Sequence, residues 1–136
     1  MATTGLTSMP SDLGYPETLS RLEAAIRAAG MTVFARIDHA AAAAAAHLPL
    51  RPTELLLFGN AKGGTVLMQS NQLIGLDLPL KALVYQDASG TVWVAYNDPG
   101  WLAERHALDT STSPTVAAMK AAFKRIVAQA TGSATP

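Results

Sequence analysis

The run Thr53-Glu54-Leu55-Leu56-Leu57-Phe58-Gly59 constrains this chain more than any other segment. Successive side chains of a strand point to opposite faces. Leu55 and Leu57 therefore need cover on one side, and Leu56 and Phe58 on the other. An apolar run without alternation is expected at an inner position of a sheet, covered on both faces. The rest of the chain has to supply neighbours and cover for it.

The remaining elements follow from periodicity and turn chemistry. Gly5 to Met9 reads as a short strand bounded by Pro10. Pro16 opens a helix in which Leu19, Leu22, Ile26 and Ala29 recur at helical spacing, and Gly30 supplies the stop. Met31 to Ile37 is a strand. Asp38 is an N-cap for the alanine-rich helix His39 to His47, which Pro49 and Pro52 end. After the apolar strand, Gly59 to Gly64 makes a tight turn into a helix over Thr65 to Gln72. Leu78-Pro79-Leu80 starts a strand that reaches Gln86, Asp87-Ala88-Ser89-Gly90 is a hairpin turn, and Thr91 to Asn97 is the return strand. Asp98 and Pro99 begin a short helical piece, Trp101 to His106. Pro114 heads the last helix, with Val116, Met119, Phe123 and Val127 as its apolar stripe.

The order β-α-β-α-β-α-β-β-α predicts one sheet with the two long helices on one face. Alternation groups Phe34, Arg36, Leu56, Phe58, Tyr85 and Trp93 opposite Val33, Leu55, Leu57, Val92 and Val94, and the long helices are expected over the second group. The first group then needs cover from the short segments 40–47, 65–72 and 101–106, or from a second subunit.

Composition excludes several functions. The 136 residues suffice for one domain, expected over 5–130, with 1–4 and 131–136 as frayed ends. Ten basic and ten acidic residues cancel, which argues against non-specific binding to nucleic acid or an anionic membrane. Charged residues are only 15%, and burying part of so apolar a surface in a partner, a homodimer above all, would relieve it. The absence of cysteine removes thiol catalysis, thiolate metal sites and disulfides. The start of the chain has neither the basic residues nor the apolar run of a targeting signal, so a cytoplasmic location is expected. No apolar stretch approaches the ~20 residues of a membrane helix.

Several motifs resemble a known family. Phe34-Ala35-Arg36-Ile37-Asp38-His39-Ala40, Arg51-Pro52-Thr53-Glu54-Leu55-Leu56-Leu57-Phe58-Gly59-Asn60, Leu67-Met68-Gln69, Gly75-Leu76-Asp77-Leu78-Pro79-Leu80-Lys81 and Tyr96-Asn97-Asp98-Pro99 occur in the order found in the family called domain of unknown function 302. The resemblance covers roughly residues 5 to 107. It implies a two-layer α+β fold, a curved and mainly antiparallel sheet of about five strands with helices on one side, related in shape to half of the TATA-binding protein. Likeness of shape does not imply DNA binding, and the resemblance carries no activity. Ala61 stands where many relatives have proline, and the alanine run after His39 is longer than usual.

Three groups of residues are candidates for chemistry. Gly59-x-x-x-x-Gly64-Thr65 follows a strand and precedes a helix, as a phosphate loop would, but lacks the lysine after the second glycine. It is expected to serve as a strand-to-helix turn or as an anion cradle built from Asn60, Lys62, Gly63 and Gly64. Asp38 and His39 offer the best acid–base candidates, with Arg36 to fix a carboxylate or, more plainly, to pair with Glu54 across the sheet. Adjacent helical residues do not face each other, so capping by Asp38 is the leading assignment. A third group, Asn60, Gln69, Asp77, Lys81, Tyr96 and Asn97, sits at strand ends; Asp77 and Lys81 are expected to pair across Pro79. His39, His47 and His106 lack the close spacings of a zinc site, and no cofactor is implied.

These residues support a homodimeric module binding a small anionic or aromatic ligand through Arg36, His39, Asn60, Lys62, Gly63, Gly64 and Asn97. An interaction protein without ligand and an enzyme using His39 as general acid or base are the alternatives.

Overall fold

The computed structural model describes residues 4–133. The chain runs β1 (Leu6–Pro10), α1 (Tyr15–Ala28), β2 (Thr32–Asp38), α2 (His39–Ala45), β3 (Thr53–Gly59), α3 (Ala61–Ser70), a 3-10 turn (Gln72–Asp77), β4 (Leu80–Gln86), β5 (Val92–Asn97), α4 (Pro99–Arg105), a short 3-10 turn (Thr110–Thr112) and α5 (Ser113–Thr131). The strands form one antiparallel sheet in the order β1-β5-β4-β3-β2. The apolar strand β3 is internal, as expected, between β4 and β2.

The two long helices, α1 and α5, lie on one face. Leu22, Ala25 and Ile26 of α1 and Phe123, Ile126, Val127 and Ala130 of α5 close over Leu56, Phe58, Ala82, Val84, Val92 and Val94. Leu22, Ile26, Leu56 and Phe58 are fully buried, and each such side chain removed from water contributes about 1.5–3 kcal/mol. Phe123 meets Phe58 edge-on and stacks on Tyr96 at 4.2 Å.

The long helices are expected over Val33, Leu55, Leu57, Val92 and Val94; they cover Val92 and Val94 together with Leu56 and Phe58 instead of Leu55 and Leu57, and the grouping of faces is corrected by register. Val33 pairs with Phe58 and Arg36 with Leu56, because the ladder slips by one residue between Val33 and Ala35. That bulge at Phe34 puts Val33 and Arg36 on the same, helix-covered face, with Leu56 and Phe58. Thr53, Tyr85 and Trp93 are aligned in one row, and Leu55 with Leu83 in the next. They belong to the opposite face, so β3 is covered by helices on one side only. Leu55, Leu57, Leu83, Tyr85 and Trp93 are part-exposed there, beside the exposed Leu6 and Ile37. The short helix α2 buries none of its residues, so it does not close that face.

Two boundaries also move. Gly63 and Gly64, read as part of a turn before a helix over Thr65 to Gln72, lie within the helix, because α3 runs Ala61–Ser70, whereas Gly59 ends β3. The tail expected from Thr131 starts later: Thr131 ends α5 with zero exposure, its Oγ1 donating to the Val127 carbonyl at 2.8 Å. Gly132 then terminates the helix at φ 74°, with Leu13 packed against it. The other ends read as frayed, 1–3 and 134–136, lie outside the described residues.

Candidate functional site

The residues singled out by sequence separate into two groups at opposite ends of the sheet. Asp38 pairs with Glu54, whereas Thr32 pairs with Gly59. With a rise of about 3.3 Å per strand residue, the two ends of β2 are about 20 Å apart. Arg36, Asp38 and His39 lie towards one end; Asn60, Lys62, Gly63 and Gly64 follow the other. Asn97, the last residue of β5, is exposed and pairs with Leu6. No single pocket holds the whole set.

The first end is structural. Asp38 Oδ1 accepts from the Ala41 amide at 2.8 Å and caps α2. His39 opens that helix, exposed, and its side chain has no hydrogen-bonding partner among the described residues. Arg36 donates through Nε to Glu54 and through Nη1 to Glu23 at 2.8 Å. Glu54 is only 7% exposed, so this guanidinium compensates a buried carboxylate. The bond to Glu54 in turn holds the Arg36 proton more tightly than usual. Burial, then the charges of Glu54 and Asp38, pushes the Tyr15 hydroxyl to about 12. These groups tie α1 to the sheet and leave Asp38 and His39 without the geometry of an acid–base pair.

At the other end the two glycine amides of the expected anion cradle already have partners. Asn60 Oδ1 accepts from the Gly63 amide at 2.6 Å, and the Gly64 amide donates to the Asn60 carbonyl at 3.2 Å. Both amides are spent on capping and on the helix. Lys62 is exposed on the first turn of α3.

Beside that cap lies a cavity of about 300 Å³. Its walls come from β2 (Phe34), β3 (Phe58), α3 (Gly64, Met68) and α5 (Met119), with Met31 and the Leu78–Pro79 approach to β4 completing them. Among the described residues Asn60 and Thr65 are its polar lining residues, and no charged side chain takes part. Its far wall is held by a second cluster. Asp77 Oδ2 accepts from His106 Nε2 at 2.6 Å and from Arg105 Nη1 at 2.9 Å. Asn71 Nδ2 donates to the His106 carbonyl at 2.7 Å, and Ser70 and Asp109 exchange hydrogen bonds. The expected Asp77–Lys81 pair is therefore replaced: Lys81 Nζ donates to the Asp77 and Pro79 carbonyls, while the Asp77 carboxylate turns to α4. His106, 8% exposed, is a clasp residue, at the other end of the sheet from His39. Among the described residues no group of three His, Cys, Asp or Glu could hold a metal ion.

The model for "Domain of unknown function DUF302" matches residues 7–127. The chain belongs to the DUF302 family. An uncharacterized conserved DUF302 protein from Bacillus stearothermophilus has the same fold, with a TM-score of 0.82 and 21% identity over 94% of this chain and 99% of that one. Brucella suis and Brucella melitensis proteins named fluoride-specific ion channel FluC 1 and FluC 2 are each 50% identical over 115 residues. That match takes in 85% of this chain but only 45% and 43% of theirs, so the chain spans less than half the length of these relatives. No helix among the described residues is long and apolar enough to cross a membrane.

Within this DUF302 domain, the cavity was not legible residue by residue. Met31, Met68 and Met119 are distant in sequence, and Met119 reads equally well as the core stripe of α5. The nearest signal is Phe34, an aromatic on a strand that the bulge turns out of the ladder.

Proposed function

We propose that this DUF302 domain is a small-molecule binding module that works as a homodimer. The cavity of about 300 Å³ beside α3 carries the reading, since it falls at the lower bound of ligand pockets, about 300–1,000 Å³. Its uncharged walls favour an apolar or aromatic guest over an anionic one, and its polar residues are few, as in pockets that orient a ligand by one or two bonds. The open sheet face, with Leu55, Leu83, Tyr85 and Trp93, is the surface for the second copy. Native mass spectrometry of the purified full chain tests both parts. A dimer with a reproducible small adduct supports the module. A guest-free protein that takes up none of a library of neutral aromatics argues for an interaction protein without ligand, and a monomer removes the dimer.

The Brucella relatives favour a second reading: a domain of this kind serving a membrane fluoride channel. Deleting this chain and measuring growth in fluoride tests that association. Unchanged resistance sets it aside.

A further inference from the structure

We infer that the guest is neutral and aromatic, about two fused rings in bulk, with one hydrogen-bond acceptor directed at the Asn60 side-chain amide. The inference rests on the binding-module reading and narrows it to a chemical class.

Size sets the first bound. An engineered cavity of about 150 Å³ lined by apolar residues accepts benzene, and this one is about 300 Å³. Charge sets the second. Among the described residues no Asp, Glu, Lys, Arg or His lines the cavity, so an ionised guest would lose its hydration without gaining a counter-charge. The wall chemistry then separates aromatic from aliphatic. Met31, Met68 and Met119 present polarisable thioethers, and Phe34 and Phe58 present rings. Sulfur–ring and ring–ring contacts give an aromatic guest attraction beyond its buried area, which an alkyl chain of equal size lacks.

The polar handle has a determined polarity. Asn60 Oδ1 accepts from the Gly63 amide at 2.6 Å, and the opposite orientation would set two donors against each other. The amide nitrogen Nδ2 has no protein hydrogen-bond partner among the described residues, and Asn60, an exposed residue, lines the cavity on its solvent side, where a guest's acceptor would replace water. The site thus offers a donor, so the guest supplies an acceptor. Phe34 provides the way in. It is 53% exposed, it occupies the bulge of β2, and β2 is an edge strand of the described sheet. Its ring can move without breaking a ladder bond on a further strand.

The test titrates the ¹⁵N-labelled full chain with 2-acetylnaphthalene, 2-ethylnaphthalene, decan-2-one and 2-naphthoate. It follows the amides of Gly59, Gly64 and Gly75 and the Asn60 side chain. 2-Acetylnaphthalene should bind about 3- to 10-fold more tightly than its ethyl counterpart, the worth of one net hydrogen bond. Asn60→Asp keeps the cap and removes the donor, and should erase that difference. Phe34→Ala should weaken both naphthalenes while leaving Tm nearly unchanged, because that ring is half exposed. Decan-2-one binding as tightly as the aryl ketone would overturn the aromatic assignment but leave the pocket standing. Equal binding of 2-naphthoate would overturn neutrality. Retention of the ketone's advantage in Asn60→Asp would overturn the handle. If none of the four shifts the cavity amides, the binding-module reading fails together with this one.

Discussion

Neighbouring glycines in α3 should respond oppositely to alanine. Gly64 is an interior helical residue without positive φ, and a Cβ there would meet only Leu78 Cδ1 at 3.7 Å and Met68 Cε at 3.9 Å, ordinary contacts. Gly64→Ala therefore gains the helical preference of alanine, about 1 kcal/mol, and should raise Tm by about 3–5 °C in a domain of this length. At Gly63 a Cβ would stand 3.1 Å from Asn60 Oδ1 and 3.2 Å from Met119 Cε. Yielding on the Asn60 side loosens the N-cap, which is worth about 1 kcal/mol, so the helical gain is cancelled or reversed. Thermal and urea unfolding of both variants measures the difference, expected at about 1–2 kcal/mol. An Asn60→Ala background supplies the decisive comparison. With the cap already gone, Gly63→Ala should turn stabilising, and the non-additivity isolates the contact. Equal stabilisation by both alanines in the unaltered background would refute the close-approach argument. Destabilisation by Gly64→Ala would refute the helical assignment of that residue.

Three further outcomes follow from other contacts. Gly5→Ala should cost about 2–5 kcal/mol in urea unfolding, since Gly5 adopts φ 82° and a Cβ would stand 2.3 Å from the Trp101 ring. Arg36→Ala should cost about 2 kcal/mol by leaving Glu54 buried without its cation, less than a fully buried pair because Arg36 is half in water; a joint Arg36→Leu, Glu54→Leu variant should recover most of that loss. Acid should destabilise the fold with a defined sign. Hydrogen bonds from Arg27 to Glu23, from Trp93 to Asp87 and from Ser111 to Asp109 hold these carboxyls below their ordinary values of 4.5 for Glu and 3.8 for Asp. They ionise more readily folded than unfolded. Their stabilisation is therefore present above those values and disappears as pH falls through the lower, folded ones. The urea midpoint should begin to drop below about pH 5 and go on falling through the lowered, folded values, and Asp87→Asn should flatten that fall; an unchanged acid limb would count against the Trp93–Asp87 bond.

Local rules made much of the fold legible. Pro16, Asp38 and Pro114 stand at the helix starts they suggest, Asp87 to Gly90 makes the hairpin, and the Arg36–Glu54 pair is an across-sheet contact read from strand position alone. The grouping of faces was not legible, because period-two counting works within a strand and leaves the register between strands open: the Phe34 bulge moves Val33 to the face of Arg36, and the pairing of β3, β4 and β5 puts Val92 and Val94, not Tyr85 and Trp93, with Leu56 and Phe58. The clasp was missed for a similar reason. Asp77 has Lys81 four residues away, yet its carboxylate reaches Arg105 and His106, a contact set by the packing of the 3-10 turn against α4 rather than by spacing.

The same contrast explains why a glycine-rich segment after an apolar strand is a poor guide to anion binding. Such a segment binds phosphate when its backbone amides point outward without partners. Here Asn60 sits at the position where its own Oδ1 reaches the Gly63 amide, and its carbonyl receives Gly64. One side chain thus takes up the Gly63 amide that such a cradle would use. It also leaves its own amide nitrogen beside an apolar cavity whose wall includes Gly64. The absence of a side chain at Gly64 is then explained by the space it leaves rather than by backbone angles. On that argument Gly64→Leu should preserve the fold and exclude the naphthyl ketone, and continued binding by a Gly64→Leu protein would move the guest out of this cavity.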